Sequence, residues 1–293
     1  MIYDCFLFFN ELELLELRLN ELHEVVDKFV LVESTRTFQG ESKRLYFEEN
    51  KHRYRRFLHK VIHVIDDEGP DGGARVSPWE REYHQRNMIQ KGLGECKPGD
   101  IVIVSDVDEI PNPGRVLEYR NREGIKIFVH RLFYYFLNCE AVMGGKSYRW
   151  LGSAMCHYRD VSSPQRLRNL VVRLNGLYGG GLLSRARARA YWALLRLRLQ
   201  RKRVIIVENG GWHFSYLGGA ERIVEKIEAF AHSEYNRDEF KNPRRIEELM
   251  RKGRDLFNRD IEFKVVEMDE TFPAYLRENV ERFGGLIRRR DED

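Results

Sequence analysis

Cysteine is scarce in this chain of 293 residues: Cys5, Cys96, Cys139 and Cys156 stand far apart and form no Cys-x-x-Cys pair. That argues against a zinc site and against a disulfide-stapled scaffold, and a reducing compartment is the plain expectation. No apolar run approaches the roughly 18 residues that a membrane-spanning helix needs. The start, MIYDCFLFFNE, carries Asp4 and no basic flank, so it reads as a first strand and not as a signal peptide. A cytoplasmic address follows as the expectation, with peripheral membrane contact left open. There is no internal repeat and no low-complexity linker. Net charge is nearly absent at +4, but that average is deceptive. Residues 161–207 hold 11 Arg/Lys and no acid, which leaves 39 basic against 46 acidic residues elsewhere. A basic segment therefore sits on an acidic body.

The most informative stretch that is present is IVIVSDVDEIP, residues 101–111. Ile101 to Val104 suit a strand buried on both faces. Asp106, Asp108 and Glu109 then fall at the strand's C-terminal end, where open α/β sheets bind ligands. In an extended chain, residues two apart point to the same side. Clustered carboxylates repel unless a positive group sits between them. A divalent cation that also holds a phosphate-bearing ligand meets that need, since Mn²⁺ and Mg²⁺ prefer carboxylate, phosphate and water oxygens. The plainer alternative is a polar loop after a strand.

The surrounding pattern predicts an α/β fold. Residues 2–9 read as a strand. Residues 11–28 read as an amphipathic helix, with Leu12, Leu15, Leu19 and Leu22 at helical spacing, and residues 29–32 as a second strand. This β-α-β unit implies parallel pairing. A charged helix over 45–57, a strand over 61–65 and a helix over 79–92 headed by Pro78 lead to the central strand. Beyond it, 126–138 reads as one or two strands, 204–207 as a short strand, 209–211 as a turn, and 220–235, 244–252 and 273–283 as helices. The expected organisation is a catalytic unit over 1–219, with a basic insertion near 166–203, and a helical region over 220–293 packed on it.

Three further clusters are candidates. In WEREYHQRN (79–87), Arg81 or Arg86 suits a phosphate and Asn87 a hydroxyl; a solvated charged helix is the alternative. In NGGWHFSYLGG (209–219), Trp212 offers an aromatic face for a sugar and His213 a metal ligand or phosphate contact, against a packed structural role. The arginines of 182–203 suit an anionic membrane surface, an acidic glycan or nucleic acid, or form a solvated arm.

Taken in order, YDCFLFFNELELLELRLNEL, VDKFVLVESTRTFQG, LYFEENK, WEREYHQRN, IVIVSDVDEIP and NGGWHFSYLGG resemble glycosyltransferase family 17. The resemblance covers most of the chain and departs in the arginine-rich segment. It implies a GT-A-like, Rossmann-like, mostly parallel sheet flanked by helices. It also implies metal-dependent, inverting transfer of a sugar, expected to be GlcNAc from UDP-GlcNAc, to a glycan hydroxyl. On that basis Asp106 and Asp108 are the expected Mn²⁺ or Mg²⁺ ligands, and His213, from its own motif, is the expected addition to their shell. Asn10, Glu33, Arg81, Arg86, Asn87 and Trp212 are expected to hold the UDP-sugar. Nucleic acid is not an expected partner.

The base that deprotonates the acceptor is not identified by the pattern. Glu109, Glu140, Asp160 and Glu208 are candidates, with Glu208 and Glu109 preferred. Two other classes compete. Haloacid-dehalogenase-like phosphatases also place Asp-x-Asp after a buried strand, with the first Asp as nucleophile. Their motif lies near the N-terminus, however, and has Thr or Val where Ile110 stands here. A non-catalytic protein binding anionic glycan or membrane through 182–203 is the third class.

Overall fold

The computed structural model describes residues 1–70, 76–178 and 203–289. Its strands are β1 (Ile2–Phe8), β2 (Lys28–Ser34), β3 (Val61–Asp66), β4 (Ile101–Asp106), β5 (Glu109–Pro111), β6 (Ile125–Tyr134), β7 (Cys139–Met143), β8 (Lys146–Ser147), β9 (Arg149–His157), β10 (Val204–Ser215) and β11 (Glu262–Val265). The helices used below are α1 (Leu12–Leu22), α2 (Tyr46–Asn50), α3 (Pro78–Asn87), α4 (Ile89–Gly92), α5 (Pro113–Tyr119), α6 (Pro164–Tyr178), α7 (Gly219–Ala229), α8 (Pro243–Lys252) and α9 (Ala274–Glu278).

One sheet runs β11-β7-β6-β9-β4-β1-β2-β3, and β10 pairs with both β6 and β5. The half β4-β1-β2-β3 is wholly parallel. Its order is that of a Rossmann half, which places a ligand crevice beyond the strands' C-terminal ends. Every residue of β1 is buried, as an apolar strand covered on both faces requires. Phe6 and Phe8 face the core shared with Leu15 and Leu19 of α1. Cys5 and Leu7 face the opposite core, with Ile89 and Leu93. β4 repeats the alternation, Ile103 to one side and Val102 and Val104 to the other.

The α/β class stands as expected, and the structure corrects several local expectations. β9 lies between β4 and β6 and was not foreseen. Its sequence, RWLGSAMCH, holds no β-branched residue, so it carries none of the signal that marks β4. The turn expected at 209–211 is a bulge inside one long β10, with Asn209 at φ 52° and Gly211 at φ 149°. The helix expected over 11–28 ends at Leu22; the carbonyls of His23 and Val26 beyond it accept from Lys60 Nζ instead. Residues 220–293 are not purely helical, because β11 joins the sheet through β7. The expected basic insertion begins as α6, whose inner side packs on β6 and β9 through Leu167, Leu170, Val171 and Leu174. The remainder of the insertion, 179–202, lies outside the described residues. All four cysteines are free thiols. Among the described residues, no helix is long and apolar enough to cross a membrane.

Candidate active site

The carboxylate run is held from below by one arginine. Arg18 comes from α1, is fully buried, and pairs with Asp4 of β1 through two contacts of 2.6 and 2.8 Å. The same guanidinium donates to Ser105 Oγ at 2.6 Å and to the carbonyls of Asp106 and Glu109 at 2.8 Å each. Five donors in a rigid fork are what one side chain needs to tie a strand end to a turn. Arg18 therefore fixes the backbone path through 105–109. Its sequence signal was legible: it stands on the apolar face of α1, three residues after Leu15 and four before Leu22.

Above that brace, Asp106 and Asp108 do not point to one side. β4 ends at Asp106, the chain turns at 107–108, and Val107 is buried in the core. The extended geometry assumed from the sequence is broken there, and the two carboxylates meet different partners. Asp106 Oδ1 accepts from Arg86 Nη1 of α3 and its Oδ2 from Arg168 Nη2 of α6, both at 2.6 Å. Arg86 also donates to Gln165 and Glu82. Burial pushes the Asp106 carboxyl up, but Arg168 and Arg86 outweigh it and hold the group below its ordinary value; Asp108 works against them. Asp108 Oδ2 accepts from Lys226 Nζ of α7 at 2.9 Å, and Oδ1 lies 3.6 Å from His213 Nε2 of β10. Burial again opposes the charge, and Lys226 and then His213 override it, so Asp108 stays well below the usual carboxylate range.

Glu109 is fully buried. Its Oε1 accepts from Trp150 Nε1 at 2.7 Å; its Oε2 accepts from Arg168 Nη1 at 2.7 Å and from the Asp106 N–H at 3.1 Å. It is a brace between β9, α6 and the strand end. Trp150, Arg168, Lys226 and Arg18 all escaped the sequence reading as site residues. Arg168 carries no signal of its own inside a run of arginines.

The other predicted residues separate into two groups. Asn10 lines a small surface cleft with Glu11, Glu13, Tyr216, Arg222 and Lys226, and Lys226 connects that cleft to Asp108. His213 reaches Asp108 and leaves its buried Nδ1 without a hydrogen bond. Arg86 is in the site as a carboxylate partner, and Asn87 Oδ1 caps α6 by accepting from Gln165 N at 3.2 Å. Away from that group, Glu33 is fully buried and spends its oxygens on the Phe47 N–H and His63. Arg81 donates to the Phe38 carbonyl. Trp212 is 4% exposed, packs in the main core and donates to the Thr271 carbonyl. Glu208 is exposed at the β10 bulge, with β6 and β9 between it and β4. Glu140 pairs with Arg131 and Arg149. Asp160 lies near Glu123 and His157, level with the start of β4 and not with its ligand-binding end.

The charge balance decides whether a divalent cation fits. Leaving aside the imidazole of His213, 3.6 Å from Asp108, the carboxylates Glu11, Glu82, Asp106, Asp108 and Glu109 are linked by ion pairs to three cations, Arg86, Arg168 and Lys226. Two negative charges remain, the charge one divalent cation neutralises. The donors are carboxylate oxygens, and the side chain of Asp106 is 31% exposed. Each carboxylate retains lone pairs beyond those its arginines or lysine use. This donor chemistry suits a hard divalent ion, although among the described residues the acidic and histidine groups that already lie close enough together to hold one are Glu123, His157 and Asp160, away from this turn.

The chain belongs to glycosyltransferase family 17, whose family model matches residues 1–169. That membership sets aside the haloacid-dehalogenase-like phosphatase reading. Similar curated proteins are the beta-1,4-mannosyl-glycoprotein 4-beta-N-acetylglucosaminyltransferases of Homo sapiens and Rattus norvegicus, each 35% identical over 120 residues, or 39% of this chain. The match covers 22% of each of those relatives' length. Among solved structures, glucosyl-3-phosphoglycerate synthase of Mycobacterium tuberculosis in complex with UDP is 15% identical at a TM-score of 0.37, over 73% of this chain and 71% of that one. The 2-C-methyl-D-erythritol 4-phosphate cytidylyltransferase of Francisella tularensis is 12% identical at 0.33, over 71% and 89%.

Proposed function

We propose that this glycosyltransferase moves a sugar, GlcNAc in the first instance, from a UDP-sugar to a glycan hydroxyl, with a divalent metal held at Asp106 and Asp108 and with inversion at the anomeric carbon. The observation that carries the reading is the two-charge deficit at the strand end, beside an open cleft. The names of the relatives support the donor and acceptor classes. A bound Mn²⁺ or Mg²⁺ would supply charge neutralisation for a nucleoside-diphosphate leaving group. The protein's own part is orientation. Arg18 and Glu109 fix the turn, Arg86 and Arg168 fix Asp106, and the cleft walls from α1, β10 and α7 exclude water from one side of the donor. Asn10, next to the cleft, is assigned to the sugar nucleotide, and His213 to the outer face of Asp108.

Deprotonating the acceptor needs a carboxylate open to the cleft. Glu11 and Glu13 line it, whereas Glu109 is enclosed by its three donors. We assign Glu109 to positioning, and Glu208 to the base only for an acceptor long enough to reach β10. Peripheral contact of 182–203 with an anionic surface falls on residues outside those described, apart from Arg203.

The test is Mn²⁺-dependent hydrolysis and transfer of UDP-GlcNAc. Asp106→Asn and Asp108→Asn should each lower activity by about two to three orders of magnitude, the scale of losing one electrostatic stabiliser, with an unchanged circular-dichroism spectrum. Full activity in excess EDTA, or in either variant, sinks the metal role. Activity with a different nucleotide sugar but not with UDP-GlcNAc sinks the donor.

A further inference from the structure

The two carboxylates are neutralised by different kinds of cation. Asp106 is held by two buried guanidiniums, each anchored by further bonds: Arg86 to Gln165 and Glu82, Arg168 to Glu109. These partners cannot leave without dismantling α3 and α6. Asp108 is held by Lys226, a single ammonium on a flexible four-carbon stem, with His213 Nε2 3.6 Å from its other oxygen. Its side chain is 24% exposed, lines the cleft, and shares its charge with Glu11 at 3.3 Å. An ammonium is a compact, strongly hydrated point charge with rotatable donors, so it can exchange partners where a guanidinium fork cannot.

We propose that Lys226 is a resident counter-ion that a divalent cation must displace from Asp108, so that this lysine sets the metal affinity of the site. The inference rests on the metal reading of Asp106 and Asp108. In the resting chain the ammonium occupies one oxygen of Asp108 and one of Glu11. A metal arriving at Asp108 meets that charge at close range and must drive it into the cleft. There the freed ammonium faces the ligand that the metal brings. Asp106, by contrast, is already in its final arrangement. The site is half preformed and half guarded.

The experiment is Mn²⁺ binding followed by the electron paramagnetic resonance of free Mn²⁺, with no sugar nucleotide present. Lys226→Met and Lys226→Gln should each bind Mn²⁺ at least about ten-fold more tightly than the native chain, because a unit charge close to a divalent ion is removed. Lys226→Gln keeps a polar contact to Asp108 should the methionine variant fold poorly, and melting in EDTA reports folding for both. Lys226→Arg keeps the charge and should bind no more tightly than the native chain. Adding Asp108→Asn to Lys226→Met should abolish the gain. Equal or weaker binding by the neutral variants overturns the proposal and leaves the metal reading standing, as does a gain that survives Asp108→Asn. No binding by any chain at millimolar Mn²⁺ overturns the metal reading and the proposal with it.

Discussion

Replacing Arg18 with Met tests whether one buried guanidinium holds the carboxylate turn at 105–109. Arg18 is 0% exposed and spends its donors on Asp4, Ser105 and the carbonyls of 106, 107 and 109. Met has similar length and no donor. The first consequence is Asp4, itself 0% exposed, left as an unpaired buried carboxylate. Removing one partner of a buried pair costs about 3–5 kcal/mol. The second is the pair of carbonyls at 2.8 Å, each worth about 1–3 kcal/mol when orphaned, less where water follows. We expect Arg18→Met to lose at least about 4 kcal/mol, close to the whole stability of many domains.

The assay is urea unfolding followed by tryptophan fluorescence. Asp4→Leu in the Arg18→Met background removes the orphaned charge and should recover about 2–3 kcal/mol, while the carbonyl cost remains. Arg18→Lys keeps a charge beside Asp4 but cannot span three carbonyls, so it should cost less stability and still loosen the turn. A loss under about 2 kcal/mol for Arg18→Met, against the range for a broken buried pair, would refute the reasoning, as would a double variant no more stable than the single one.

Two other perturbations follow from backbone and titration. Gly211 sits at φ 149°, and a Cβ there would lie 2.1 Å from the Ile110 carbonyl oxygen. Gly211→Ala should cost at least about 2 kcal/mol by thermal melting, because backbone cannot yield as a side chain can, whereas Gly144→Ala, with open space around it, should cost only about 1 kcal/mol for its positive φ. His130 is fully buried, and burial, then His213, Arg18 and Arg168, hold its imidazole well below its ordinary value. The unfolded chain takes up that proton near pH 6.5 and the folded chain does not, so stability falls as pH drops below about 6.5. Between pH 7 and 5 the loss from this group should be about 2 kcal/mol, and His130→Gln should flatten the pH dependence of the urea midpoint by that amount. An unchanged slope would refute it.

The parallel half was legible because its strands are apolar on both faces and its first helix repeats at helical spacing. β1, β2, β3 and β4 all lie where periodicity puts them. The half built from β6, β9 and β10 was read poorly. β9 packs through Gly152, Ala154 and Met155 between two richer strands, and Gly152 is small because His130 lies across it: a Cβ there would meet the ring at 2.4 Å. Nothing local in such a strand announces it, since its place is decided by what neighbours leave room for.

The site shows the same division between what a residue is and what faces it. Asp106 and Asp108 stood out as carboxylates after a buried strand, but their counter-charges come from α3, α6 and α7, 20, 62 and 118 residues away. No local pattern encodes such pairings. The spacing argument failed on a tertiary cause: Arg18 binds the carbonyls of 106, 107 and 109 together, which closes the turn, and Asp106 and Asp108 take different cationic partners. An extended Asp-Val-Asp would have placed both carboxylates on one side with their repulsion unrelieved. The turn instead gives each its own cations, and the deficit of two charges is shared across the gap between them. On the proposed reading, Asp106 and Asp108 would hold a divalent ion, one of them fixed by two guanidiniums and the other paired with one ammonium. The strain of assembly would therefore fall on Lys226 and α7, while the fold's own bracing of Asp106 stays untouched.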